Sequence, residues 1–190
     1  MLKPQALHYE KNWFSGLFSI MKKVVNDAKT GQPAMSFKQR WNNNFQVFAD
    51  PNFGQLILEA RFVRKFGLAW DIYETGQVQP LARMESHILK TALSMGGEVI
   101  SVTKPEGGEF IKVERESSSA LKHIMDNMVE LYNPTHVYTV KAASGKVLGA
   151  ITAKHGVWKS FYDFKMDDGT DKERAAALMV FAYILIMLKK

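Results

Sequence analysis

The sequence predicts a mainly β fold with helical additions (α+β): a closed antiparallel β-barrel around a central hydrophobic C-terminal helix, with amphipathic helices at its periphery. Three observations predict it. An unbroken apolar run lies at 175–188, four strand–turn–strand units repeat before it, and no Gly-, Ser- or Pro-rich linker divides the 190 residues. The chain therefore reads as a single domain over 1–190. It comprises an N-terminal helical segment over 1–35, barrel strands over 36–165 with a helical insertion near 117–132, and a core helix over 170–190.

Residues 12–29 have helical periodicity. At 100° per residue, Trp13, Phe14, Leu17, Phe18, Ile20, Met21, Val24 and Val25 fall within an arc of about 160°. Ser15, Ser19, Lys22, Lys23, Asn26 and Lys29 fill the remainder. Such a helix has two uses. It covers the outside of a barrel, or it lies in a membrane interface with Trp13, Phe14 and Phe18 toward lipid and Lys22 and Lys23 toward headgroups.

From Ser36 the period shortens to that of strands. Phe45–Phe48 meets the turn Asp50–Gly54 and Gln55–Glu59; Trp70–Tyr73 meets Glu74–Gly76 and Val78–Met84. Val99–Val102 meets Lys104–Gly108 and Phe110–Val113; Val137–Val140 meets Ala142–Gly145 and Lys146–Ile151. Each unit holds a glycine where a tight turn needs positive φ. The flanks Phe37–Trp41, His87–Leu93 and Trp158–Phe164 offer further strands. So many antiparallel strands are best accommodated by closure, which removes exposed edges. One interruption is helical: Ser117–Ser119 cap a segment in which Leu121, Ile124, Met125, Met128, Val129 and Tyr132 share a face, and Asn133-Pro134 ends it.

The tail explains what fills the barrel. Thr170 and Glu173 have capping-box spacing, and acids at the front with Lys189-Lys190 at the back suit the helix dipole. A helix apolar all round must be enclosed. Its run of about 21 Å is short of the roughly 30 Å bilayer core, so enclosure by protein strands is expected.

Composition narrows the chemistry. The chain has no cysteine, which removes disulfides, thiolate catalysis, cysteine zinc sites and S-acylation, and which suits a reducing cytosol. No secretory signal pattern is visible. The net charge of +6 and pI near 9.4 favour acidic partners. Anionic phospholipid at a membrane surface is the partner expected, a nucleic acid is not, and a protein partner stays open. Histidines 8, 87, 123, 136 and 155 are scattered without paired-ligand spacing, and no G-x-S-x-G, P-loop or dinucleotide fingerprint occurs. The sequence therefore predicts no enzyme, metal or cofactor. A basic stretch, Arg61-Phe62-Val63-Arg64-Lys65, joins Lys38 and Arg40 as candidate phosphate ligands if their strands are neighbours; otherwise these residues form a solvated wall.

The segment Ser160-Phe161-Tyr162-Asp163-Phe164-Lys165-Met166-Asp167, the polar turn after it, the run Ala175–Leu188 and units such as Tyr138–Leu148 carry a resemblance. Over roughly Ser36 to Lys190 the chain resembles the tubby-like superfamily, in particular its phospholipid scramblase and LURP-one-related branch. The resemblance implies a tubby-like barrel round a core helix and a non-enzymatic, lipid-associated role. The chain lacks the cysteine-rich and proline-rich segments of scramblases. Its acids Asp163, Asp167, Asp168 and Asp171 do not have calcium-loop spacing, so calcium-driven lipid scrambling is not implied. The functional expectation is a module at the cytoplasmic surface of a membrane. The alternative is a barrel scaffold for a protein partner or small apolar ligand without membrane contact.

Overall fold

A computed structural model describes residues 6–12, 22–65, 67–87, 97–115, 135–155 and 159–187. Twelve strands run in sequence: β1 (Ala6–Asn12), β2 (Lys22–Asp27), β3 (Pro33–Gln39), β4 (Phe45–Phe48), β5 (Leu56–Lys65), β6 (Gly67–Glu74), β7 (Ala82–Ser86), β8 (Gly97–Thr103), β9 (Glu109–Arg115), β10 (Thr135–Ala142), β11 (Val147–His155) and β12 (Lys159–Met166). The helix α1 (Asp171–Met187) follows them. Each strand pairs antiparallel with its sequence neighbours, and β1 closes the barrel against β12 over seven residue pairs, from Ala6↔Lys165 to Asn12↔Lys159.

The N-terminal helical segment expected over 1–35 is corrected by this topology. Asn12 ends one strand, Lys22–Asp27 forms another, and β3 begins at Pro33; residues 13–21 lie outside the described residues. The physical reason is visible in β2. A helical arc would place Val24 and Val25 together, yet Val25 is fully buried while Val24 is 37% exposed. Alternation across a sheet does this, and β-branched valines suit it. The helical insertion near 117–132 also lies outside the described residues.

The four hairpins form at the expected places, with the returning arm after Trp70–Tyr73 confined to Ala82–Ser86. Phe37 and Phe164 lie in strands, as their flanking segments suggested, whereas of 87–93 only His87 is described and it follows the end of β7. One close approach requires its glycine. A Cβ on Gly149 of β11 would collide with the Lys165 carbonyl oxygen of β12.

The helix starts as its sequence requires. Thr170 N–H donates to Glu173 Oε2 at 2.8 Å, and Glu173 N–H donates back to Thr170 Oγ1 at 3.3 Å. Every residue from Ala175 to Ile186 is at most 4% exposed. Phe181 packs edge-on to Phe37 at 5.8 Å and against Phe164 at 5.2 Å. Tyr183 nests with Trp70 at 5.0 Å and Phe45 at 5.8 Å. Each large side chain so enclosed contributes roughly 1.5–3 kcal/mol, and the helix is the filling of the barrel. No helix among the described residues is long and apolar enough to cross a membrane.

The barrel has two unlike rims. The lower rim, where α1 begins, carries the turns 28–32, 49–55, 75–81, 104–108 and 143–146, all described. The upper rim carries the other connections, of which 40–44 is described in full. The outward face of the wall carries ion pairs such as Arg83–Asp71 at 2.7 Å, Lys112–Glu114 at 3.4 Å and Lys159–Glu10 at 2.6 Å. Apolar side chains fill the lumen. Outer-membrane barrels show the inverse, with an apolar band outside.

Candidate functional site

The expected basic residues separate into two patches. Lys22 and Lys38 stand directly opposite each other on β2 and β3. Their neighbours Lys23 and Phe37 face the lumen, so this pair faces outward. Like charges directly opposite destabilise a sheet pair. Among the described residues no ion pair engages Lys22, Lys38 or Arg40. Lys22 Nζ instead lies 5.2 Å from the centre of the Phe53 ring.

Beyond Lys38 the chain turns at 40–44, and this turn is held firmly. Asn43 N–H donates to the Arg40 carbonyl at 3.0 Å, Trp70 Nε1–H donates to the Asn43 carbonyl at 2.9 Å, and Phe62 N–H donates to Asn44 Oδ1 at 2.9 Å. Asn43 takes the left-handed conformation the turn needs, at φ 62°. Trp41 projects from this anchored turn with 91% of its surface exposed. The result is Lys38, Arg40 and an indole on one side of the upper rim, with Lys22 beside Lys38 on the wall and its ammonium turned toward Phe53. Trp13, Phe14 and Phe18 lie outside the described residues, on the connection whose ends, Asn12 and Lys22, reach the same rim.

Arg61 belongs elsewhere. It donates to Glu59 Oε2 at 2.8 Å and its guanidinium covers the Tyr73 ring at 4.3 Å. The Glu59 carboxylate raises its pKa further and offsets its charge. Arg64 and Lys65 end β5, paired with Leu68 and Gly67 of β6. The side chains of Arg64 and Lys65 lie outside the described residues.

Lys23 was expected at a lipid interface and is corrected: it is 4% exposed and points into the barrel, its Nζ 5.6 Å from the Tyr9 ring centre. The strand register, set by Val25 entering the core, turns it inward. Trp41 was not singled out from the sequence as a binding residue. The Asn42-Asn43-Asn44 run that follows it is a turn signal, and would have placed it at a loop tip rather than in a strand.

The acidic residues before the helix go to separate partners. Asp163 pairs with His8 at 2.6 Å, Asp167 with Lys165 at 2.8 Å, and Asp168 with Lys146. Lys146 also holds the Asp168 carboxyl below its ordinary range. His87 lies 2.9 Å from Ser101 Oγ, and His136 accepts from Arg115 at 2.8 Å. No cluster of three or more His, Cys, Asp or Glu suited to a metal occurs among the described residues. Comparison with protein-family models, curated proteins and solved structures finds no significant match.

Proposed function

We propose that the chain is a non-enzymatic, tubby-like module that associates peripherally with anionic membrane lipid through its upper rim. The closed barrel around an apolar helix supports the tubby-like part of this reading. The observation that carries the lipid part is the outward pair Lys22–Lys38, continued by Arg40 and the exposed Trp41. A like-charge pair costs stability in the free protein and is relieved by an anionic surface. Basic residues near an anionic leaflet contribute about 1 kcal/mol each, and tryptophan favours the headgroup level. The anchored turn presents the indole with little ordering cost on binding.

Co-sedimentation with phosphatidylcholine vesicles, with and without phosphatidylserine, tests this. The wild type is expected to pellet with the anionic vesicles, less so as salt rises toward physiological strength, where the Debye length is about 8 Å. Lys22/Lys38/Arg40→Ala should weaken binding about 100-fold, from roughly 3 kcal/mol lost. Trp41→Ala should weaken it while leaving the salt dependence. A wild type that stays in the supernatant with anionic vesicles at low salt defeats the reading and favours a scaffold for a protein partner.

A further inference from the structure

The wall closes unevenly around β1. On its β12 side β1 is paired over seven residues, whereas on its β2 side it is paired only at Leu7↔Asp27 and His8↔Asn26. Continued upward, that register would set Tyr9 against Val25 and Glu10 against Val24, yet among the described residues no ladder pair forms there. β2 is meanwhile paired to β3 from Lys22 to Asn26. The wall therefore has a notch between the upper halves of β1 and β2. It is closed below at His8 and Asn26 and opens toward the upper rim.

Two bonds fix the direction of the main-chain groups at this notch. Ala28 N–H donates across to the Ala6 carbonyl at 3.2 Å, and Asp27 N–H donates the other way, to the Gln32 carbonyl at 2.9 Å. Successive residues of a strand point these groups to opposite edges. Val24 and Lys22 accordingly turn theirs from β2 into the notch, and Glu10 turns its own from β1. The side chains of all three are exposed. Glu10 is answered by Lys159 at 2.6 Å. Lys22 meets no acid among the described residues and rests on the Phe53 ring. The β2 edge thus presents unpaired main-chain groups beside one cation and one valine.

We propose that an extended, acidic segment of a partner protein docks in this notch by adding a strand to the edge of β2. An unpaired edge is a template for another chain, and extended peptides bind such edges through main-chain hydrogen bonds. Charge selects the occupant. A second copy would bring a second Lys22 to the same short edge, and a lysine there opposes such pairing; an acid beside Lys22 is favoured instead. Alternate side chains of an added strand share a face. The segment therefore carries an acid next to Lys22 and an apolar residue next to Val24, two positions apart. The inference does not rest on the membrane reading, because it needs the β2 edge and Val24 and uses neither Arg40 nor Trp41.

Isothermal titration of the full chain with the end-capped hexapeptide Thr-Glu-Thr-Val-Thr-Glu tests it. This peptide presents acid, valine and acid on one face in either direction. Circular dichroism melts confirm the folding of each variant, and vesicle co-sedimentation is run alongside. One-to-one binding is expected, at least tenfold tighter than for Thr-Lys-Thr-Val-Thr-Lys or for the same glutamate peptide N-methylated at its glutamates and valine. Val24→Pro removes one N–H from the edge, a position where proline is tolerated. It should weaken peptide binding at least tenfold and leave vesicle association unchanged, whereas Trp41→Ala should do the reverse. Lys22→Glu should invert the preference between the glutamate and lysine peptides, and it decides the matter if Val24→Pro does not fold. The proposal is overturned if the wild type does not bind the glutamate peptide, if the N-methylated peptide binds as tightly, or if Lys22→Glu keeps the original preference. A wild type that sediments as a dimer, and as a monomer in Val24→Pro, overturns it in favour of a second copy.

Discussion

The hydroxyl of Tyr183 donates to Ser86 Oγ at 2.9 Å, joining the apolar helix to the last residue of β7. Tyr183 is 2% exposed, so its phenol has to find a partner inside the barrel. The bond gives an otherwise apolar plug a fixed depth and rotation. Tyr183→Phe should destabilise the fold by about 1 kcal/mol, and Ser86→Ala by a similar amount. The double variant should cost little more than either alone. Thermal melts check this; at this chain length 1 kcal/mol lowers Tm by about 2–4 °C.

Replacing a central plug residue should be far more severe. Ile184 is fully buried, and Ile184→Asp places a carboxylate where nothing solvates it, at a cost of several kcal/mol or of forced protonation. Insoluble or unfolded protein is the expected outcome. A variant that melts at the wild-type temperature would contradict the enclosed helix.

Gly149 and Gly76 separate two reasons for glycine. Gly149→Ala drives a Cβ against the Lys165 carbonyl and should cost about 1–3 kcal/mol or more through overpacking between β11 and β12. Gly76 has open space around it but φ of +83°, so Gly76→Ala should cost only the left-handed penalty of about 1–2 kcal/mol. Chemical denaturation of both variants measures the difference.

Asp50 makes the stability of the 49–55 turn depend on pH. Its carboxylate accepts N–H bonds from Asn52, Gly54 and Gln55, which hold its pKa below the ordinary 3.8. A depressed folded pKa contributes stability that is present above the unfolded value and lost as pH falls through the folded one. Asp50→Asn should therefore melt below wild type at neutral pH. The two melting curves should converge as pH drops below 3.8.

Much of this was legible in the sequence, and for local reasons. The Thr170–Glu173 box and the unbroken apolar run define α1 without any tertiary information. Glycine turns at 76, 107 and 145 mark the hairpins for the same reason. β1 was not legible: Ala6–Asn12 carries no turn signal and only Leu7 and Tyr9 alternate, so its pairing with β12 makes it a strand. β2 was misread because Val24 and Val25 extend the apolar arc begun at Trp13. The site residues depended on register. That Lys22 meets Lys38 while Lys23 turns inward is a one-residue matter, settled by strand pairing across a bulge at Val25/Asn26. The neutralisation of Arg61 was within reach, since Glu59 sits two residues away on the same side of a strand.

In chain order every one of the twelve strands precedes the helix that fills them. Their inward faces consequently have no partner of their own until that helix is available, and the seam between β1 and β12 joins segments some 150 positions apart. Productive folding then awaits a late, long-range event, and contacts of high sequence separation form slowly. A chain released before α1 would be a hollow sheet with exposed apolar surface, the kind of species that aggregates or engages chaperones.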